Sequence, residues 1–356
     1  MRYQQIDVER CLKNVRLKIV KSINVDFVFT YISVNQFIMR NIIILFSLLV
    51  GLNSCSQTET DSSQDGISEA NLSASVNLNN EDFPVGTNYS KSAIAIQGAY
   101  NQFLQNLKKN DAISIIAQVD HSRNAKSVGL DLDYTRVVFF GNPVLGTPLM
   151  QENQLAGLDL PQKVLFYRTE NKNDIILYNS VEYLSSRHNL EGVATLDKIS
   201  NALEKLVSTV SKSPVKEASE QKVAFMEGII TKESTRDFEA TYANLRNAIA
   251  SNPNLSIVVE LDHKANAASV GLELRPTKLI VFGNPNLGTP LMQDEQTTGL
   301  DLPQKMLVWE DEEGNVKVSY NDIYFIAQRH GIEGNAEVLN KISTALANLA
   351  NTAAGL

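Results

Sequence analysis

The chain has 356 residues, 43% hydrophobic and 20% charged, which is the composition of a globular protein long enough for about two domains of roughly 150 residues. Its 32 basic and 40 acidic residues give a net charge of −8, and seven of the basic residues but only three of the acidic fall within the first 55 positions. A body this acidic repels nucleic-acid phosphates and disfavours anionic substrates, so nucleic acid is excluded as a partner.

Residues 1–38 read as a doubtful N-terminal extension, because the first recognisable signal begins only at Met39. From there MRNIIILFSLLVGLNSC has the anatomy of a signal peptide over 39–55: a basic start at Arg40, an apolar run from Ile42 to Leu52, then small or polar residues before Cys55. The run is well short of the roughly 20 residues that span a bilayer as a helix. Leu52-Asn53-Ser54-Cys55 resembles a bacterial lipobox, which makes Cys55 the expected site of lipidation and the lipid bilayer the expected partner of that residue. Residues 56–90 carry six acidic residues, no basic ones, and many Ser and Asn, a composition expected to form a disordered tether. Ser56 after the cysteine points to the outer membrane as the address within the bacterial cell envelope. Cys11 and Cys55 are the chain's two cysteines, so the body forms neither a disulfide nor a thiolate metal cluster.

The body is one unit written twice. DHSRNAKSVGLDL at Asp120 returns as DHKANAASVGLEL at Asp262, an offset of 142. At that offset GNPVLGTPLMQ from Gly141 matches GNPNLGTPLMQ from Gly283, and GLDLPQK recurs from Gly157 and Gly299. Tyr178-Asn179 and Arg187-His188 match Tyr320-Asn321 and Arg329-His330, and Asp120–Gly192 aligns without gaps to Asp262–Gly334 with 38 identities in 73 positions. The expected domains are 91–210 and 228–356, joined by a polar linker over 211–227 on which the copies pack or swing.

In copy one the pattern predicts a strand near Ser92–Ile96, then an amphipathic helix carrying Tyr100, Phe103, Leu104 and Leu107. Strands follow at Ile113–Val119 and Arg136–Phe140, the second stopped by Gly141-Asn142-Pro143. Thr147 is expected to cap a short helix that begins at Pro148. Strands at Lys163–Thr169 and Asp174–Asn179 flank the polar turn 170–173, and a closing helix carries Leu196, Ile199, Leu203 and Leu206 on one face. The order predicts an α+β fold, a mainly antiparallel sheet with helices packed on one face, whose other face is expected to meet the second copy.

These repeated strings resemble the bacterial domain of unknown function number 302, over roughly 90–210 and 228–350. The resemblance implies two tandem β-α-β4-α domains of the TATA-binding-protein-like kind, and no established activity. Copy one departs from the pattern where Asp133-Tyr134 stands for Arg275-Pro276 and Ser180 for Asp322.

All four histidines occupy equivalent positions: His121 with His263, and His188 with His330. Imidazole serves as metal ligand or general base near neutral pH. His121 and His263 sit at a strand end beside Asp120 and Asp262, which are placed to orient them. His188 and His330 follow a helix whose C-terminal carbonyls they would meet. Asn142 and Asn284 lie in the GNP loop, and Thr147 and Thr289 precede a helix N-terminus able to hold a small anion, although capping accounts for them equally. Met150 and Met292 are soft ligands of the copper type, although methionine on such a helix commonly fills a core. Asp159 and Lys163 are expected to solvate a turn. The fingerprints of hydrolases, metalloproteases and nucleotide enzymes are absent, and no cofactor is implied. The expectation is a lipid-anchored binding protein for a small ligand or an envelope partner. The alternatives are an enzyme using His121 or His263 with Asn142 or Asn284, and a metal-binding module built on His121, His188 and Met150.

Overall fold

The computed structural model describes residues 83–356. The extension 1–38, the signal-like segment with Cys55, and residues 56–82 lie outside the described residues.

The first repeat runs β1 (Thr87–Lys91), α1 (Ile96–Lys108), β2 (Ser114–Asp120), α2 (His121–Ser127), β3 (Thr135–Gly141), α3 (Pro143–Glu152), a 3-10 turn (Gln154–Leu158), β4 (Gln162–Arg168), β5 (Asp174–Asn179), α4 (Val181–His188) and α5 (Leu196–Ser211). A two-residue strand, β6 (Lys216–Glu217), follows. The second repeat has β7 (Ile229–Glu233), α6 (Phe238–Ala250), β8 (Ser256–Asp262), α7 (His263–Ala268), β9 (Thr277–Gly283), α8 (Pro285–Asp294), a 3-10 turn (Gln296–Leu300), β10 (Gln304–Glu310), β11 (Val316–Asn321), α9 (Ile323–His330) and α10 (Ala336–Ala354). The sheet orders are β2-β3-β4-β5-β1-β6 and β7-β11-β10-β9-β8, with antiparallel pairing throughout. Each repeat is thus an α+β domain with the expected strand order, to which the structure adds the short helices α2 and α7.

Period-two alternation divides the strands between two cores. Val138, Phe140, Val164, Phe166, Ile176 and Tyr178 face α1 and α5, and Phe103 of α1 meets Phe140 and Phe166 edge-on. The intervening Val137, Phe139, Leu165, Ile175 and Leu177 form a separate cluster with Leu279, Val281 and Leu307 of the second repeat. At roughly 25 cal/mol per Å² of apolar surface removed from water, this sheet-to-sheet cluster is the main attraction between the repeats.

Three expectations are corrected. The first strand is Thr87–Lys91, not 92–96, so residues 83–90 belong to the folded domain instead of a tether. The polar TNYSK has no apolar alternation to read. It is held by its ladders to β5 and β6, by a 2.7 Å bond from Thr87 Oγ1 to the Pro84 carbonyl, and by the Phe83 ring stacked on Tyr89. Second, Thr147 caps nothing: α3 begins at Pro143, Asn142 is its cap, and Pro148 stands inside the helix. Third, 211–227 does not leave the copies free to swing. Its β6 pairs with β1, the Ala218 N–H donates to the Thr87 carbonyl at 2.9 Å, and the Met226 N–H donates to the Arg187 carbonyl at 2.9 Å.

Candidate functional site: two cavities and a buried charge cluster

The GNP loop ends β3 because Pro143 cannot extend a ladder, and the same proline opens α3 at a position where no N–H is required. The Asn142 side-chain oxygen accepts from the Val144 N–H at 2.9 Å, and Asn284 does the same for Asn286 at 3.0 Å. Each asparagine oxygen is therefore committed to capping. Thr147 and Thr289 lie buried in mid-helix, and the Thr289 hydroxyl has no hydrogen-bond partner.

Beneath each helix is a cavity. The first, about 220 Å³, is lined by Phe140, Asn142, Thr147, Leu160 and Gln162 of the first repeat and closed by Leu261, His263 and Asn266 of the second. The other, about 330 Å³, is lined by Phe282, Asn284, Thr289, Leu302 and Gln304 of the second repeat and closed by His121, Asn124 and Ser127 of the first. The histidine and asparagine of one copy thus lie in different cavities, and those of opposite copies come together: His121 shares a wall with Asn284, and His263 with Asn142. The short helices α2 and α7, which carry the histidines, reach across to the other repeat.

The aspartates before these histidines cap helices instead of orienting imidazoles. Asp120 accepts from the Arg123 N–H and pairs with Arg136 at 2.6 Å, and Asp262 accepts from the Ala265 N–H. His121 Nε2 lies 3.3 Å from the Gly299 carbonyl oxygen. The Gly157 carbonyl also lies near His263, but His263 Nε2 makes no hydrogen bond. Both imidazoles are 4% exposed, and burial pushes each down to about 4, so both are neutral at pH 7.

His188 and His330 belong to a different place. They do not meet helix carbonyls. They end α4 and α9, and their Nε2 atoms lie 2.8 Å from Asp159 and 3.0 Å from Asp301. The Arg187 guanidinium donates to Asp159 at 2.8 Å and, across the repeats, to Asn321 at 3.0 Å. Arg329 donates to Asp301 at 2.6 Å and, again across, to Asn179 at 2.8 Å. Asp159 and Lys163, read as solvating a turn, are 2% and 3% exposed and belong to this cluster. Lys163 reaches Asp301, whereas its counterpart Lys305 makes no hydrogen bond, and neither does the Asp159 oxygen Oδ1. Burial pushes both carboxyls up, but Arg187 on Asp159 and Lys163 with Arg329 on Asp301 outweigh it and hold them well below the usual carboxylate range. Burial, then the neighbouring Lys163 charge, lowers Lys305 well below the usual amine value.

The set required for metal binding does not converge: His121 lies with Met292 in the second cavity, Met150 in the first, and His188 on Asp159. Among the described residues no group of three or more His, Cys, Asp or Glu is placed to hold a metal ion. Sequence reasoning missed Asp301, Lys305, Arg187, Arg329, Asn179 and Asn321 as one cluster, and Gln162 and Gln304 as cavity walls. The signal was present in charged and amide residues set inside the identically repeated GLDLPQK, YN and RH strings.

The profile of the domain of unknown function DUF302 matches residues 89–209 and 230–349. The fluoride-specific ion channel FluC 1 of Brucella suis biovar 1 is 42% identical over 114 residues, which cover 32% of this chain and 44% of that protein. FluC 2 of Brucella melitensis biotype 1 is 42% identical over 114 residues, 32% of this chain and 42% of that protein. The chain thus spans less than half the length of these curated relatives. A crystal structure of an uncharacterized conserved DUF302 protein from Bacillus stearothermophilus covers 36% of this chain and 98% of its own, at a TM-score of 0.33 and 15% identity.

Proposed function

Since the chain belongs to the DUF302 family, a family of unknown function matched in both repeats and over more than half of its length, we propose that it is a lipid-anchored protein of the bacterial cell envelope whose paired repeats bind a small ligand. The observation that carries the reading is the pair of apolar cavities, each walled by one repeat and closed by a buried histidine of the other. Such largely preformed, mostly apolar hollows with a few polar groups are the usual form of a small-molecule site. The anchoring part rests on the lipobox-like Leu52–Cys55 and the acidic stretch after it.

The catalytic alternative keeps a histidine and an asparagine in each cavity, drawn from opposite repeats, but each asparagine oxygen is committed to capping its helix, which favours the binding reading. Fluoride conduction is not carried over from the relatives' names. No helix among the described residues is long and apolar enough to cross a membrane, and neither cavity is lined by a charged side chain.

Native mass spectrometry of the full chain purified from its own host in mild detergent is the test. A bound small mass, lost in H263N, supports the reading; a ligand-free mass in several preparations overturns it. In the same preparations, Cys55→Ser shifts the protein from the membrane to the soluble fraction, and unchanged fractionation sinks the anchor.

A further inference from the structure

The first cavity has a specific polar inventory. Its lining includes no Asp, Glu, Lys, Arg or Tyr, so His263 is the one titratable side chain on its wall. Two nitrogens on that wall are buried without a partner: His263 Nε2 and the Gln162 amide Nε2. A buried polar atom left unpaired costs about 1–3 kcal/mol, so each is a place that a ligand atom fills with profit. The remaining surface is mostly apolar, with Ile113, Phe140, Leu160 and Leu203 among it, and its other polar side chains, such as Asn142, Thr147 and Asn266, are uncharged.

The geometry points to an aliphatic monocarboxylic acid of about six carbons, one in the first cavity of each chain, taken up together with one proton; the assignment rests on the small-ligand reading above. One carboxyl oxygen accepts from the Gln162 amide, and the other shares a proton with His263 Nε2. The proton comes from solvent and sits between the oxygen and the ring nitrogen, so no net charge enters the apolar space. That neutrality also reconciles an acid ligand with a strongly acidic protein, which repels a free anion. The cavity of about 220 Å³ is somewhat larger than the ~150 Å³ apolar cavity that accepts a six-carbon ring, which sets the scale of the ligand. The groups facing His263 are few. Asp262, which ends β8 and caps the histidine's helix, is 3.8 Å from Lys278, and the opposing 3-10 turn presents the Gly157 carbonyl. In the second cavity His121 Nε2 lies at hydrogen-bond distance from the Gly299 carbonyl, 3.3 Å, whereas the Gly157 carbonyl faces His263 without completing a hydrogen bond to its Nε2.

Isothermal titration of the full chain with hexanoate tests the assignment. One site per chain is expected, with an affinity that rises about tenfold per pH unit as the pH falls from 8 to 6, the slope of one linked proton. Hexanamide, the same length without an acid proton, is expected to show no such slope. From butanoate to hexanoate the affinity rises about fourfold per methylene. H263N and Q162L each weaken hexanoate by about tenfold or more, because each removes one of the two hydrogen bonds to the carboxyl. The wild-type slope needs neither variant, so misfolding of one does not spare the assignment. Hexanoate binding that is flat with pH, or two equal sites per chain, overturns it. If hexanoate fails to bind while native mass spectrometry still finds another bound mass, the acid assignment falls and the small-ligand reading stands. If both fail, both fall.

Discussion

Lys163 Nζ of the first repeat lies 3.1 Å from Asp301 Oδ1 of the second, and both side chains are 2% exposed. Asp301 also receives Arg329 at 2.6 Å and His330 at 3.0 Å, so it is the anion around which the second half of the cluster is arranged. Asp301→Asn leaves Lys163 and Arg329 without their counter-charge and is expected to cost about 3–5 kcal/mol in urea unfolding, the usual penalty for an orphaned buried charge. Lys163→Met costs less, because Arg329 still neutralises Asp301. Equal losses in the two variants would refute this hierarchy.

Lys305 carries the opposite sign. Its Nζ is buried without a hydrogen bond, and Lys163 adds a like charge nearby. Lys305→Met keeps most of the volume and removes a buried amine that makes no hydrogen bond to Asp159 or Asp301, although it is drawn to both by charge. It is expected to raise stability at pH 7 by roughly 1–3 kcal/mol, visible as a higher midpoint in thermal unfolding. A lower midpoint would mean that this amine is paired and charged in solution.

Stability falls with acid in two stages. Burial holds His121 and His263 at about 4 and lowers His188 and His330 as well. The unfolded chain, with imidazoles near 6.5, therefore binds protons before the folded chain does, and stability declines from about pH 6.5 towards 4, by about 3 kcal/mol for each of His121 and His263. Asp159 and Asp301, held well below the usual carboxylate range, add a second loss only below about pH 4. Urea titrations at pH 7, 6, 5 and 4 measure the first stage, and a curve flat from pH 6.5 to 5 contradicts it.

Gly299 sits at a close contact between the repeats. A Cβ there would stand 3.1 Å from Leu165 Cδ1 and from Thr135 Cγ2, both in the first repeat. Gly299→Ala is expected to cost about 1–3 kcal/mol through strain between the sheets. Gly271→Ala, at φ +74° but with open space around the new methyl, tests backbone strain alone. If both lower the melting temperature equally, close contact at Gly299 is not the cause.

The strand order and the closing helices were legible because apolar residues mark them: Asp174–Asn179 is bounded in the structure as the pattern predicts. The TNYSK strand was hidden because its partners, not its side chains, make it a strand. The cavity residues were individually visible as repeated His, Asn and Thr, but a repeat alignment places equivalent residues in register and says nothing about which copy's histidine faces which copy's asparagine. Asp159 and Lys163 were misread for a similar reason. Lys163 is paired by Asp301 in the other repeat, and Asp159 by Arg187 and His188 beyond two intervening strands, and local polarity carries no trace of such neighbours.

A symmetric dimer of single domains repeats every contact twice, so any change in its chain alters both halves together. Here the connecting segment that pairs β6 with β1 puts the two halves under separate genetic control. Lys163 bonds to Asp301 while Lys305 makes no hydrogen bond to Asp159 Oδ1, and His121 bonds a carbonyl whereas its counterpart His263 only faces one. One half is thereby released to specialise while the other keeps the frame, a division of labour closed to two identical chains.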